Sequence, residues 1–492
     1  MNSRWRWWLL VWRAGVAQSL VAIVMASAWA EERTEHFDKD PGWESRNSRA
    51  EVPHPREIKQ DFGYSATSHA GGKAGEVGGW ISPAAEPAYY ATKIDPADFN
   101  SPLAASGTFT AGNGPFHVLL GFFNASTLNE WRTPNTIAIR LSGRGERVFA
   151  FVEYATARWR AGGDHPRAFP TAIAVGGREE LKGFASGRPH RWSLRYDPHG
   201  NEGQGVVTAT IDDETAICNL SPGHKQDGAS FNRFGLMTVM KSADTGGELW
   251  IDDVEVNGRQ FDFEGDPGWE GKGNRTTYTT TNVRPRFDFG FSNTQFAGGQ
   301  KAGEFGGLVF RGDCRYPEKM ASYADHLEPL ALSKPMRAGG KIALRRGVSD
   351  SGVLIGFFDS SRAMQSNPSQ DSGLPRGFLG ISTDGPSREG FYFAPTYRFG
   401  EHGRGSPPDA EPPHIYPDGT THDWSLEYSS TDAAGRGRIK VTLDGQKVSL
   451  TLAEGHKSLP DRFDRFGIVT TWVDGNGQTL YLDDVTYTYR QD

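Results

Sequence analysis

Cysteine is nearly missing. Cys218 and Cys314 are the only two in 492 residues, so no framework of disulfides holds this chain, and no Cys/His spacing fits a zinc site. One bridge between the two stays open in an oxidising compartment. A basic excess is also missing: 53 Lys and Arg stand against 60 Asp and Glu, for a net charge of −7. Without a basic stripe, nucleic acid is excluded as a natural partner. There is no G-x-S-x-G elbow, no H-E-x-x-H and no glycine loop ending in GK[ST]. Serine-hydrolase, zincin and P-loop chemistry of those kinds therefore have no support. Beyond the first thirty residues no run is apolar for long enough to cross a bilayer as a helix, so no membrane span is expected in the mature chain.

Those first thirty residues read as an export signal. Arg4, Arg6 and Arg13 precede the apolar run Gly15–Met25, and Ala28-Trp29-Ala30 forms a small-x-small cleavage site. Residues 1–30 are expected to be removed, leaving a secreted or periplasmic protein; an uncleaved anchor is the alternative. Three arginines and no acids leave with the signal, so the mature chain carries −10.

Glycine is abundant, at 61 residues, and aromatics make up 12%. With few long helical patterns, that composition points to β-structure with tight turns. The remainder is self-similar. Phe37-Asp-Lys-Asp-Pro-Gly-Trp-Glu44 recurs as Phe263-Glu-Gly-Asp-Pro-Gly-Trp-Glu270. DFGYSATSHAGGKAGEVGG (61–79) recurs as DFGFSNTQFAGGQKAGEFGG (288–307), and LLGFFNAS (119–126) as LIGFFDSS (354–361). HRWSLRY (190–196) recurs as HDWSLEY (422–428), and Gly223-His224-Lys225 as Gly455-His456-Lys457. FNRFGLMTV and LWIDDVEV return as FDRFGIVTT and LYLDDVTY. The order is kept throughout, which predicts an internal duplication with domains at 31–262 and 263–492. No Pro/Ser linker separates them, so they are expected to pack together. An extra stretch in the second copy, around Arg311–Pro335, can hold a short helix at Glu318–Leu330.

The shared blocks read as strands. Trp192, Leu194 and Tyr196 alternate with Ser193 and Arg195, and Trp424, Leu426 and Tyr428 repeat that pattern. Asp444-Gly445 marks a hairpin. Strand-length segments recur every ten or so residues, as in a β-sandwich. The run W-S-L-x-Y, V-T-x-x-I/L-D, F-x-R-F-G and L-x-I/L-D-D-V resembles concanavalin A-like (laminin-G-type) jelly rolls, best over the second half of each copy. That resemblance implies an all-β protein of two tandem jelly-roll sandwiches. It also implies a site on the concave sheet or its rim, in a superfamily of lectins, carbohydrate-binding modules, glycoside hydrolases and polysaccharide lyases. Fold alone does not choose among them.

The segment richest in chemistry lies in the first copy, at 129–140 and 151–170. On an extended strand Tyr154, Thr156, Arg158 and Arg160 share one face and Glu153 points to the other. A face with an aromatic ring and arginine forks suits a sugar; a solvated outer sheet is the plainer reading. The expected glycan-binding residues are Asn129, Arg132, Arg158 and Arg160, joined in the second copy by Arg388, Tyr392 and Arg398. Matching RWRAGG (158–163) to RFGEHG (398–403) pairs Arg158 with Arg398 and Glu153 with Phe393. For a glycan-degrading enzyme, Glu130 and Glu153 are the carboxylate pair. Tyr154 and His165 supply the residue types of a lyase base. His224-Lys225, His456-Lys457, Arg233 and Arg465 read as structural. Asp40, Asp253, Asp266 and Asp484 are candidate ligands of a structural Ca²⁺, with turn capping or arginine pairing as the alternative. The glycines before Glu76 and Glu304 read as tight turns. The protein is thus expected to bind a polysaccharide, with a glycan-degrading enzyme and a non-catalytic adhesion module as alternatives.

Overall fold

A computed structural model describes residues 30–491, apart from 51–53, 129–133, 164–168, 170–171, 176–177, 182, 349, 388–389, 402, 405–407 and 460–461. Strand is the dominant element of the described chain, with antiparallel pairing, and helix is confined to single short turns. It forms two sandwiches, each with its own apolar core drawn from two sheets.

In the first sandwich one sheet runs Ala161–Gly163, Arg147–Ala155, Thr136–Arg144, Phe116–Phe123, Phe231–Thr238, Tyr89–Ala97 and Glu270–Lys272. In the second the corresponding order is Gly403–Arg404, Gly390–Phe399, Phe378–Ser387, Ser351–Phe358, Arg462–Val469, Ser322–Ala331 and Glu44–Arg46. The opposing sheets also match, from Glu214–Asn219 and from Gln446–Thr451 inward to Gly247–Val256 and Gly477–Arg490. Alternation explains the cores. Trp192, Leu194 and Tyr196 are buried, as are Trp424, Leu426 and Tyr428, while the residues between them face outward. Asp444 and Gly445 both take positive φ, which closes the hairpin between Arg438–Leu443 and Gln446–Thr451.

The pairing crosses the sequence boundary at 262/263. Glu270–Lys272 pairs with Tyr89–Ala97 and Arg275–Thr280 with Arg56–Ser65, so the opening block of the second copy completes the first sandwich. The opening block of the first copy does the reverse. Glu31–Glu35 pairs with Gly477–Arg490, and Glu44–Arg46 with Ser322–Ala331. Phe37 and Trp43 are buried in the second core, and Phe263 and Trp269 in the first. The recurrent A-G-E motif serves this exchange. A Cβ on Gly75 would lie 1.8 Å from the Phe263 carbonyl oxygen, and one on Gly303 would lie 1.8 Å from that of Phe37. Both glycines also have positive φ, so no other residue lets the exchanged block approach as closely.

The next residue secures the loop. Glu76 is fully buried and accepts the backbone N–H groups of His69 (2.9 Å) and Ala70 (2.7 Å). Glu304 accepts those of Phe296 (2.9 Å) and Ala297 (2.7 Å). Burial alone would raise the Glu76 pKa, but these donors hold it below its ordinary value.

One expectation needs correction, and one point left open by the sequence is answered. Glu318–Leu330 holds no α-helix: one 3-10 turn at Pro317–Lys319 leads into the strand Ser322–Ala331, which the sheet demands next to Arg462–Val469. Cys218 and Cys314 do not pair. Neither is in a disulfide, and they are buried in different sandwiches. No helix among the described residues is long and apolar enough to cross a membrane.

Candidate functional site

The sheet that carries the chemically rich segment has one face in the core. Val148, Ala150, Val152 and Tyr154 point inward from its strand, with Ile137, Ile139 and Leu141 beside them. Phe149, Phe151 and Glu153 therefore point outward. This reverses the expected functional face. Tyr154 is 1% exposed, and its hydroxyl meets His224 Nδ1 at 2.9 Å and accepts the Ser221 N–H at 2.9 Å. It is a core residue that ties down a turn.

The second copy repeats that tie. Tyr397 meets His456 Nδ1 at 3.0 Å and accepts the Ala453 N–H at 2.9 Å. Lys225 donates to the carbonyls of Pro198 and Gly203, and Lys457 to those of Ser430 and Gly435. The recurrent His-Lys pair is thus a turn lock. It also fixes the correspondence of the two strands: Tyr154 matches Tyr397. The match of Arg158 with Arg398 was three residues out of register, misled by a chance recurrence of Arg and Gly where the sequences otherwise differ. Glu153 corresponds to Thr396 and not to Phe393.

On the outer face Arg140 Nε donates to Glu153 Oε2 at 3.1 Å, and both side chains are at most 5% exposed. The Arg140 guanidinium lies 4.2 Å from the Phe151 ring centroid, and that of exposed Arg144 lies 5.7 Å from the Phe149 ring. His117 projects from the neighbouring strand on the same side, in register with Ser142. Burial, and then the positive charges of Lys241 and Arg140, push its pKa down to about 3, so the imidazole is neutral. Lys241, 6% exposed, pairs with Asp244 at 2.7 Å. Burial opposes ionisation of Asp244, but Lys241 outweighs it and holds the pKa low.

The second sandwich lacks this cluster. Strand register puts Gly352 where His117 stands, Ser382 for Arg140, Thr396 for Glu153 and Val473 for Lys241. Tyr392 and Ala394 replace Phe149 and Phe151. Where the first sandwich has charge, the second has a cavity of about 470 Å³, lined by Ser382, Asp384, Tyr392, Thr396 and Val473.

The other expected site residues are dispersed. Asn129, Glu130, Arg132, His165 and Arg388 lie outside the described residues. Arg160 is committed to Asp227 (2.6 and 2.9 Å) and the Gly223 carbonyl (2.6 Å). Arg398 is 2% exposed, bound to Asp371 and the Leu374 carbonyl, with its guanidinium 4.9 Å from the Trp472 ring centroid. Neither is presented to a ligand in the way expected. Arg158 is exposed, in the turn after the strand. Tyr392 lines the second cavity, with the His414 ring 4.9 Å away. The four proposed calcium ligands do not converge. Asp40 and Asp266 each cap a turn at Gly42 and Gly268, Asp484 meets His36 at 2.7 Å, and Asp253 is exposed. Among the described residues no three His, Cys, Asp or Glu side chains gather as a metal requires.

Reasoning from sequence missed His117, Arg140 and Lys241. A signal existed: HVLLGFF against GVLIGFF, and TVMK against TTWV, differ at His117 and Lys241 within otherwise matched blocks.

No family model matches this chain, and no curated protein does. Solved structures similar to it include the mouse laminin α1 chain domains LG4-5, at 12% identity and TM-score 0.23, with 88% of this chain and 95% of that one covered. An alginate lyase in complex with an alginate trisaccharide is 12% identical, covering 38% of this chain and 84% of its own, with TM-score 0.24. The carbohydrate recognition domain of Emp47p is 9% identical, covering 42% and 90%, with TM-score 0.25. The sandwich architecture itself stands on the strand pairing.

Proposed function

We propose that this is an exported polysaccharide-binding protein whose ligand lies on the outer face of the first sandwich. One observation carries the proposal: the His117, Arg140, Glu153 and Lys241 cluster exists in one sandwich, and the same sheet forms in the other without it. A buried ion pair adds little net stability, and Ser382 and Thr396 show that the fold does not need one here. Its role is then positional. Arg140, held by Glu153, sets the Phe151 ring. Phe149 and Phe151 offer apolar rings to sugar faces, and exposed Arg144 and Arg158 offer donors to hydroxyl or acidic groups. An adhesion surface would need a broad apolar patch. Among the described residues the exposed large apolar side chains are Ile217 and Tyr316, one in each sandwich.

A second reading, glycan cleavage, rests on His117. An imidazole moves protons best with its pKa near the working pH, so this reading requires a bound glycan to raise the His117 pKa from about 3. One experiment addresses both readings. The mature protein is incubated with neutral, uronate and sulfated polysaccharides, following gel retention, reducing ends and absorbance near 235 nm. Retention lost in Phe151→Ala, without new reducing ends, is the expected result. New reducing ends would establish cleavage, with the 235 nm signal marking a lyase. No retention on any glycan would sink the binding proposal.

A further inference from the structure

The seam between the sandwiches holds a larger cavity, of about 840 Å³, a size suited to one or a few sugar residues. Its apolar lining comes from residues that include Ala243, Val283 and Phe287. Its walls come from both sandwiches and are tied together. Ser242 Oγ donates to Asn476 Oδ1 at 3.0 Å, and Arg284 donates to Asp350 (3.2 Å) and Asp474 (3.0 Å).

Among the described residues the charged lining is unbalanced. It carries Arg56, Arg284, Arg286 and Lys319 against Asp244, Glu318 and Asp474. Asp474 is held by Arg284, and Asp244 by Lys241. That leaves Arg56, Arg286 and Lys319 facing Glu318. Arg286 faces Asp288 at 3.8 Å, beyond hydrogen-bond distance. Arg56 makes one long bond, 3.3 Å, to the Ala243 carbonyl. Lys319 sits over the Tyr316 ring at 4.5 Å. Among the described residues, three cations, two of them guanidinium forks, share this apolar lining with Glu318 as the remaining carboxylate. That is the chemistry of an acceptor for carboxylate or sulfate groups on a polyhydroxyl chain.

The seam also adjoins the outer-face cluster. Asp244 lines the cavity, pairs with Lys241, and lies within electrostatic reach of His117. We propose that the interdomain cavity is a subsite for the anionic groups of an acidic glycan, continuing the site on the first sandwich. As a statement about one continuous site, this rests on the glycan-binding reading above.

The test uses the full mature chain in affinity gels containing polygalacturonate, dextran sulfate or uncharged dextran, and compares Arg286→Gln/Lys319→Gln with Phe151→Ala. Both variants are checked for unchanged thermal unfolding. Wild type is expected to be retarded by polygalacturonate or dextran sulfate, and the matrix that retards it distinguishes carboxylate from sulfate recognition. The retardation should weaken in about 0.5 M salt. Arg286→Gln/Lys319→Gln should weaken it about tenfold or more. Retention on a charged glycan that this variant leaves unchanged would overturn the cavity proposal, as would retention on uncharged dextran alone or on none of the matrices. If the cavity variant loses binding and Phe151→Ala does not, the cavity stands and the outer-face reading fails.

Discussion

Arg465 and Glu44 lie 421 positions apart and meet through two contacts, 2.8 Å at Nε and 2.6 Å at Nη2. Their counterparts Arg233 and Glu270 meet at 2.8 Å across only 37 positions. The same contact is local in one sandwich and spans most of the chain in the other, because the second sandwich is closed by the opening block of the first copy.

Removing residues 31–50 should therefore unfold the second sandwich and leave the first. Calorimetry is expected to lose one of two transitions. Trp43→Ala should cost about 3–5 kcal/mol, through the cavity left among Phe37, Phe305 and Tyr487. Glu44→Ala should cost about 1 kcal/mol or less, since the carboxylate is 56% exposed. An unchanged second transition after the truncation would refute the exchange.

Tyr154→Phe should act on stability and not on ligand binding. It strands the Ser221 N–H and one nitrogen of His224, at a cost of about 1–3 kcal/mol. Tyr397→Phe should do the same to the second sandwich. A Tyr154→Phe protein that unfolds normally yet loses glycan retention would return this residue to the site.

Glu153→Ala removes a carboxylate partner from the buried Arg140 charge, and about 3–5 kcal/mol of destabilisation is expected. Arg140→Ser/Glu153→Thr installs the pair found in the second sandwich. It should unfold closer to wild type than the single variant does, while glycan retention is lost. Equal destabilisation of both variants, in thermal unfolding, would mean that the pair is required by the fold.

Asp483 is fully buried at the end of the second core. Its Oδ1 accepts the Asp484 N–H at 2.7 Å, and its Oδ2 has no partner. Burial pushes its pKa up from 3.8 to about 7, and that of Asp252 to about 6. A carboxyl whose pKa is raised by folding favours the native state while protonated. That contribution is full below about pH 4 and is lost as pH rises through about 7. Asp483→Asn stays neutral, so its melting temperature should gain on wild type steadily from pH 4 to pH 8. A difference that stays constant across that range would show that Asp483 does not titrate there.

Much of this was legible in the sequence. Period-two alternation around Trp192 and Trp424, and Asp444-Gly445 between strands, specify antiparallel sheet and hairpin through local sterics and one-sided burial. The recurrence of His-Lys after glycine marked a structural turn. The candidate site was less legible. Alternation says that Tyr154 and Glu153 take opposite faces, but not which face meets the core, because an isolated strand has two equivalent sides until another sheet covers one.

The sequence alone thus determined an all-β chain with the same strands written twice, since side-chain alternation and turn chemistry are local properties. Tertiary structure decided two things that locality cannot reach. One is the closure: the opening blocks carry the same Phe, Trp and Glu, so either body can accept either block, and chain connectivity settles the pairing. The other is the gathering of His117, Arg140, Glu153 and Lys241, which come from four separate stretches and meet only when the sheet's register lays them side by side.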